Sequence, residues 1–306
     1  MIVVRMLLLA LGFGMLVKGA DWFVDATAGI ARKYGIPQLV IGLTIVAMGT
    51  SLPEAAVSIT AALEGNAEIT IGNIVGSNIL NIWIILGISS LIATLTIQKS
   101  TFFIEIPYMI FVTIVLMIMG MTGGLVDRVE GIILWLLFLV YLVYLFFLAK
   151  KGASDEQEEK RSSWLLLLLA VAGGVLIIWG SKITVDSARA LAGYFGISER
   201  FIGLTIVALG TSLPELVTSV IAAKRGNADI AIGNIVGSNI FNILFVVGSS
   251  SLIIPTLFDA RFVIDTAIAV FTGVVLWLAV FRTKTLARTW GIMMLAFYAI
   301  YFVYLL

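Results

Sequence analysis

"AMGTSLPEAAVS" (residues 47–58) sits inside a predominantly apolar run from Ile36 to Leu63, long enough to cross a bilayer. Glu54 is thereby placed near mid-membrane. A carboxylate there costs roughly 3 kcal/mol on insertion scales, so it is expected to be neutralised, paired or bound to a cation. At residues 208–219 the chain repeats the phrase as "ALGTSLPELVTS", with Glu215 in the same place.

The 306 residues are 61% hydrophobic and 12% charged, with a mean hydropathy of +1.13, a composition of membrane proteins. Hydropathy predicts an all-α membrane protein of ten transmembrane helices near 4–28, 37–62, 69–93, 104–122, 126–149, 163–191, 200–222, 230–253, 262–281 and 287–306. The first apolar run lacks a small-residue cleavage site and continues through "KGADWFVDATAGIA", so it reads as a span and not a signal peptide. Cysteine and histidine are both absent. This excludes disulfides, thiolate metal sites, His-ligated zinc or haem, and Ser-His-Asp hydrolysis. A net charge of +1 points to no nucleic-acid partner.

Offsetting the chain against itself by 161 residues aligns Gly35–Ile88 with Gly196–Ser249, identical at 34 of 54 positions. "IGNIVGSNILNI" (71–82) recurs as "IGNIVGSNIFNI" (232–243). Each half, 1–149 and 163–306, carries five predicted spans, and an odd number forces the halves into opposite orientation. Basic residues agree. With both termini outside, the inside loops hold Arg32, Lys33, Lys99, Lys150, Lys151, Lys160, Arg161, Lys224, Arg225, Arg282, Lys284 and Arg288, and the outside segments only Arg5, Arg128, Arg200 and Arg261. Leu63-Glu64 of one repeat becomes Lys224-Arg225 in the other. The polar linker 150–162 is expected to be cytosolic. It holds no EF-hand loop.

Of 18 acidic residues, 16 fall in loops or near predicted helix ends, Asp21, Asp25, Asp186, Glu105 and Asp265 among them; Glu54 and Glu215 are the exceptions. Each follows Gly-Thr-Ser-Leu-Pro, where proline removes an amide and glycine weakens the helix. A break is expected there, freeing carbonyls such as those of Ala47, Thr50, Ala208 and Thr211. In the next helix Asn73, Ser77 and Asn81 recur every four residues on one face, copied as Asn234, Ser238 and Asn242. Asn78 and Asn239 lie one position off and are candidates to bridge helices. Gly72, Gly76, Gly233 and Gly237 are assigned to close helix packing. The glycines of the first and sixth spans, at 12, 14, 19, 173, 174 and 180, leave those helices smooth enough to slide. An oxygen-only site with two carboxylates suits Ca²⁺, which takes 6–8 oxygens at about 2.3–2.6 Å, and its neutral remainder suits Na⁺.

With these motifs the chain resembles the Ca²⁺/cation antiporter superfamily, the sodium/calcium exchangers, and in particular its compact prokaryotic members. The resemblance spans nearly the whole chain, each half holding Gly-Thr-Ser-x-Pro-Glu and Gly-Ser-Asn-x-x-Asn. It implies Na⁺/Ca²⁺ exchange by alternating access in the cell membrane. Glu54 and Glu215 would bind Ca²⁺ with the carbonyls of Thr50 and Thr211. Flanking Na⁺ sites would use Ala47, Thr50, Ser51, Ser77 and Glu215, and Ala208, Thr211, Ser212, Ser238 and Glu54, with Asn81 and Asn242 completing the centre. Potassium-dependent relatives carry Asp where this chain has Asn242, and the H⁺/Ca²⁺ branch carries a Gly-Asn-x-x-Glu pattern that this chain lacks. H⁺/Ca²⁺ exchange is the alternative reading. A channel would repeat its filter around an oligomer axis, whereas here one chain duplicates the site; a monomer is the expected working unit. No cofactor is implied, and the expected partners are Na⁺, Ca²⁺ and the lipid bilayer.

Overall fold

The computed structural model describes residues 2–65, 68–151, 161–194 and 208–305. Helices dominate because in hydrocarbon each backbone amide and carbonyl has to be satisfied within its own segment. In chain order they are α1 (Ile2–Lys33), α2 (Gln38–Thr50), α3 (Leu52–Leu63), α4 (Thr70–Ile92), α5 (Thr101–Gly123), α6 (Arg128–Lys151), α7 (Ser163–Tyr194), α8 (Ala208–Thr211), α9 (Leu213–Lys224), α10 (Ala228–Ile253), α11 (Ala260–Ala279) and α12 (Arg288–Leu305). Among the described residues eight helices are long and apolar enough to span a membrane, and nine if the bent pair α2–α3 is one span. The expected span 200–222 lies outside the described residues up to 207, and α8 and α9 are what is seen of it.

The two helices that carry the Asn/Ser stripes form the centre. Of the most apolar window of α4, 78% is buried, and of α10, 94%, against 17–44% for the other long helices. Polar groups are thus held where neither lipid nor water reaches. Two ribbons, absent from the all-helical expectation, tie the halves together at the helix ends: β1 (Leu95–Thr96) pairs antiparallel with β4 (Thr285–Leu286), and β2 (Leu125–Val126) with β3 (Thr256–Leu257). Each joins one repeat to the other. Segments this short carry no periodicity of their own; pairing simply satisfies backbone groups where helices end.

α1 and α7 pack along each other outside this core. Their contact is glycine on glycine: a Cβ on Gly19 would lie 2.8 Å from the Gly173 carbonyl, and one on Gly12 would lie 2.9 Å from that of Gly180. Gly12 and Gly19, like Gly173 and Gly180, are seven residues apart and so share a face. α2 meets α10 in the same manner, with Gly42 against Gly233 and Gly237 against Leu43 and Ala47.

Glu105 lies near a helix end, as expected. It is fully buried, accepting a hydrogen bond from the Tyr144 hydroxyl of α6. The second half has the same device, since Tyr301 donates to Asp265 at 3.0 Å. The helix begins where expected, but its first turn faces a neighbouring helix, which periodicity near a terminus does not reveal.

The glycine seam gives a stability test. Gly19→Ala forces a methyl into the Gly173 carbonyl and should lower the thermal unfolding midpoint in detergent, through an overpacking cost of about 1–3 kcal/mol. Gly14→Ala, whose Cβ meets nothing within 4 Å, should leave the midpoint unchanged or raise it.

Candidate functional site

The site begins at two helix breaks. α2 and α3 are bent by 49° across Ser51, whose φ and ψ are −84° and 8°; Ser212, before α9, stands at −89° and 6°. Pro53 and Pro214 lie in the first turn of the helices that follow, where a missing amide costs little. Glu54 and Glu215 therefore occupy first turns. Free amides and the macrodipole favour an anion there by about 0.3–2 kcal/mol. Both carboxylates are enclosed, at 1% and 0% exposure, so water does not hold their charge. Among the described residues no ion pair reaches either one, and no group of three or more His, Cys, Asp or Glu side chains clusters.

The serines of the breaks cross between halves. Ser51 Oγ donates to Glu215 Oε1 at 2.7 Å, and Ser212 Oγ donates to Glu54 Oε1 at 3.2 Å. Thr50 Oγ1 donates to Asn234 Oδ1 at 2.9 Å. Asn234 in turn braces α9, giving its amide to Ser219 Oγ at 2.8 Å and to the Glu215 carbonyl at 3.4 Å, and Asn73 repeats this with Ser58 and Glu54. Ser58 and Ser219 were not singled out in the sequence, although their identity across the repeat was the available signal.

Two expectations need correction. The Ala47 carbonyl is not released from its helix: it accepts the Ser51 amide at 3.1 Å. Pro53 lies four residues beyond Gly49, so the carbonyl deprived of a helical donor is that of Gly49. The second correction concerns Ser77 and Ser238. Ser238 Oγ donates to the Ala47 carbonyl at 3.3 Å, which groups Ser238 with Ala47, Thr50, Ser51 and Glu215. The halves are interleaved, because α10 of the second packs on α2 of the first, and each group draws on both. By the repeat, Ser77, which is buried, belongs with Thr211, Ser212 and Glu54. Ala208 opens α8, but its surroundings lie outside the described residues.

Four asparagines close the centre. Asn78 Nδ2 donates to the Asn239 carbonyl and Asn239 Nδ2 to that of Asn78, both at 3.1 Å, so these two bridge α4 and α10 as their position off the stripe suggested. Asn81 Nδ2 donates to Asn239 Oδ1 at 2.9 Å, and Asn242 Nδ2 to Asn78 Oδ1 at 3.2 Å. Asn81 and Asn242 each begin a widened π-helical turn, Asn81–Leu86 and Asn242–Val247, a feature common at functional sites. With their amides so used, Asn81 Oδ1 and Asn242 Oδ1 are buried without a donor, and so are Glu54 Oε2 and Glu215 Oε2. Unsatisfied buried polar atoms are rare and each needs a reason. These are oxygens throughout, two of them on carboxylates, and they suit a hard cation.

A helical membrane bundle with a duplicated, buried oxygen site is the architecture of a cation antiporter, a transporter and not an enzyme. The chain belongs to the sodium/calcium exchanger protein family, whose model matches residues 4–147 and 165–306. It is 38% identical to inner membrane protein YrbG of Escherichia coli, over 81% of this chain and 79% of that one. It is 33% identical to the sodium/calcium exchanger MaX1 of Methanosarcina acetivorans, over 100% and 99%. Among solved structures, the sodium-calcium exchanger NCX_Mj soaked with zero Na⁺ and Ca²⁺ is similar at a TM-score of 0.88, with 31% identity over all of both chains.

The asparagine bridge can be tested on its own. Asn78→Ala and Asn239→Ala each leave buried partners unsatisfied and should cost about 1–3 kcal/mol. Their effects on thermal unfolding should couple by more than about 0.5 kcal/mol in a double-mutant cycle, because each removes bonds to the other.

Proposed function

We propose that the chain exchanges Na⁺ for Ca²⁺ across the cell membrane by alternating access at this buried site. The observation that carries the reading is the set of four donor-less oxygens, Glu54 Oε2, Glu215 Oε2, Asn81 Oδ1 and Asn242 Oδ1. Two carboxylates without a counter-charge match a divalent cargo, and membership of the sodium/calcium exchanger protein family supports the choice of ions. Ca²⁺ would sit between the glutamates, aided by the carbonyls of Thr50 and Thr211. Na⁺ would take the two flanking groups, one of Ala47, Thr50, Ser51, Ser238 and Glu215, the other of Ala208, Thr211, Ser212, Ser77 and Glu54. Both ions then need the same carboxylates, and that competition makes the process exchange and not co-transport.

The proposed topology is ten spans in two inverted five-helix repeats, 1–149 and 163–306, with both termini outside and the linker 150–162 in the cytosol. The chain acts as a monomer, since one copy carries both halves of the site. α1 and α7, joined along their glycine seam, are the elements that move against the core formed by the remaining helices.

Liposomes holding purified protein and Na⁺, diluted into Na⁺-free medium with traceable Ca²⁺, should accumulate Ca²⁺. Uptake driven by a pH gradient and indifferent to Na⁺ would replace Na⁺ with H⁺ in the scheme. Glu54→Gln and Glu215→Gln should each reduce uptake to the protein-free background while the variants remain folded by thermal unfolding. Normal uptake by both would remove the shared site.

A further inference from the structure

Across the repeat the motif residues keep like positions, but the charges where α1 and α7 approach the turns of the core do not. The 161-residue offset carries Asp21 onto Lys182 and Arg225 onto Glu64, so a pair of opposite charges returns with its signs exchanged. In the structure the first pair is made. Arg225, in the turn after α9, is ion-paired with Asp21 of α1 and also reaches Asp25 at 3.3 Å. Arg161, just before α7, is paired with the same Asp25. α1 packs along α9 beside these contacts.

The second pair is apart. Glu64, after α3, and Lys182, on α7, are both exposed, and among the described residues neither forms an ion pair. α7 has no comparable packing against α3 among the described residues. Contacts at the centre of the molecule, by contrast, obey the repeat closely, as the reciprocal Ser–Glu and Asn–Asn bonds do. Among the described residues, these ion pairs depart from the symmetry at the helix ends, where access to the site would be controlled.

We infer that Asp21–Arg225 and Glu64–Lys182 are alternating latches of the exchange cycle, the first holding the inner face shut while the outer is open, the second replacing it when the outer face closes. The inference rests on the alternating-access reading above. The sign exchange has a physical reason. A latch must attract on both faces, yet the positive-inside rule favours a cation in the inner turn and disfavours one in the outer turn. Placing the base on the turn inside and on the helix outside satisfies both. The faces also differ among the described residues: the inner network has Arg225, Arg161 and Lys18 for Asp21 and Asp25, whereas the outer has Lys182 beside Glu64 and Asp186. The inner latch is the one that is made in this structure.

The cysteine-free chain allows a direct test. Asp21→Cys with Arg225→Cys, and Glu64→Cys with Lys182→Cys, are placed in the full-length protein in liposomes, separately and together, and oxidised with copper phenanthroline. Disulfides are counted by the free thiols left to a polyethylene-glycol maleimide. Each pair should cross-link, and in the four-cysteine protein a molecule should hold one disulfide and not both. Adding Arg225→Gln to the outer pair should speed its cross-linking about fivefold, and Arg225→Lys should speed it less. Two disulfides in one molecule, an outer pair that never cross-links, or a rate indifferent to Arg225→Gln would overturn the latches. Cross-linking needs no ion flux, so a failure of Na⁺-driven Ca²⁺ uptake in the unaltered protein would count against the proposed exchange and not against the latches.

Discussion

Two carboxylates, buried where water does not reach and without a cation side chain beside them, set the terms for the rest of this molecule. An isolated charge in such surroundings is costly by many kcal/mol unless hydrogen bonds, dipoles or a bound ion take over from water. The helix breaks answer part of that need by delivering Glu54 and Glu215 to the first turns of α3 and α9. The hydroxyls of Ser51 and Ser212 answer another part. What is left over, one oxygen on each carboxylate, is left over on both sides alike. Acceptors left over symmetrically in this way suit a cation.

Neither half can build this site alone. The hydroxyl that serves each glutamate comes from the opposite repeat, the Asn78–Asn239 exchange locks α4 to α10, and the two ribbons join the repeats again at the helix ends. Interleaving also explains why Ser238 falls with Ala47. The small residues Gly233 and Gly237 let α10 approach α2 until backbone meets backbone, and Ser238 is the next residue on that helix. Stability and ion binding thus draw on one set of contacts. Among the described residues, α1 and α7 contribute none to it.

Much of the site was legible because the chain states it twice. Glu54, Thr50, Ser51 and Asn81 are each weak signals alone, but their recurrence at one offset, together with the cost of a mid-membrane acid, singles them out. Pairing between halves was harder to read. Duplication says that Ser77 and Ser238 are equivalent, yet it does not say which faces Ala47, since that depends on how the repeats interlock. The π-helical turns at Asn81 and Asn242 leave no mark on hydropathy, as a widened turn changes hydrogen bonding and not composition. Glu105 escaped for a related reason: near a helix end, burial is decided by a neighbour such as Tyr144, 39 positions away in the chain.

The magnitudes of these interactions have to stand in a definite order for exchange to occur. On the proposed mechanism, closing around two carboxylates without a cation would be the most expensive step, and ion occupancy would govern whether the molecule switches. The peripheral ion pairs must then stay small beside that term. Arg225, Asp21 and Asp25 are each 34–39% exposed, where single pairs contribute about 0–1 kcal/mol, against several kcal/mol for a buried charge. Latches of that size would bias which face is open at rest without overriding the ions. Had the same residues been buried, the protein would hold one face shut whatever cation it bound, because a ligand shifts a two-state equilibrium only by its differential affinity for the two states.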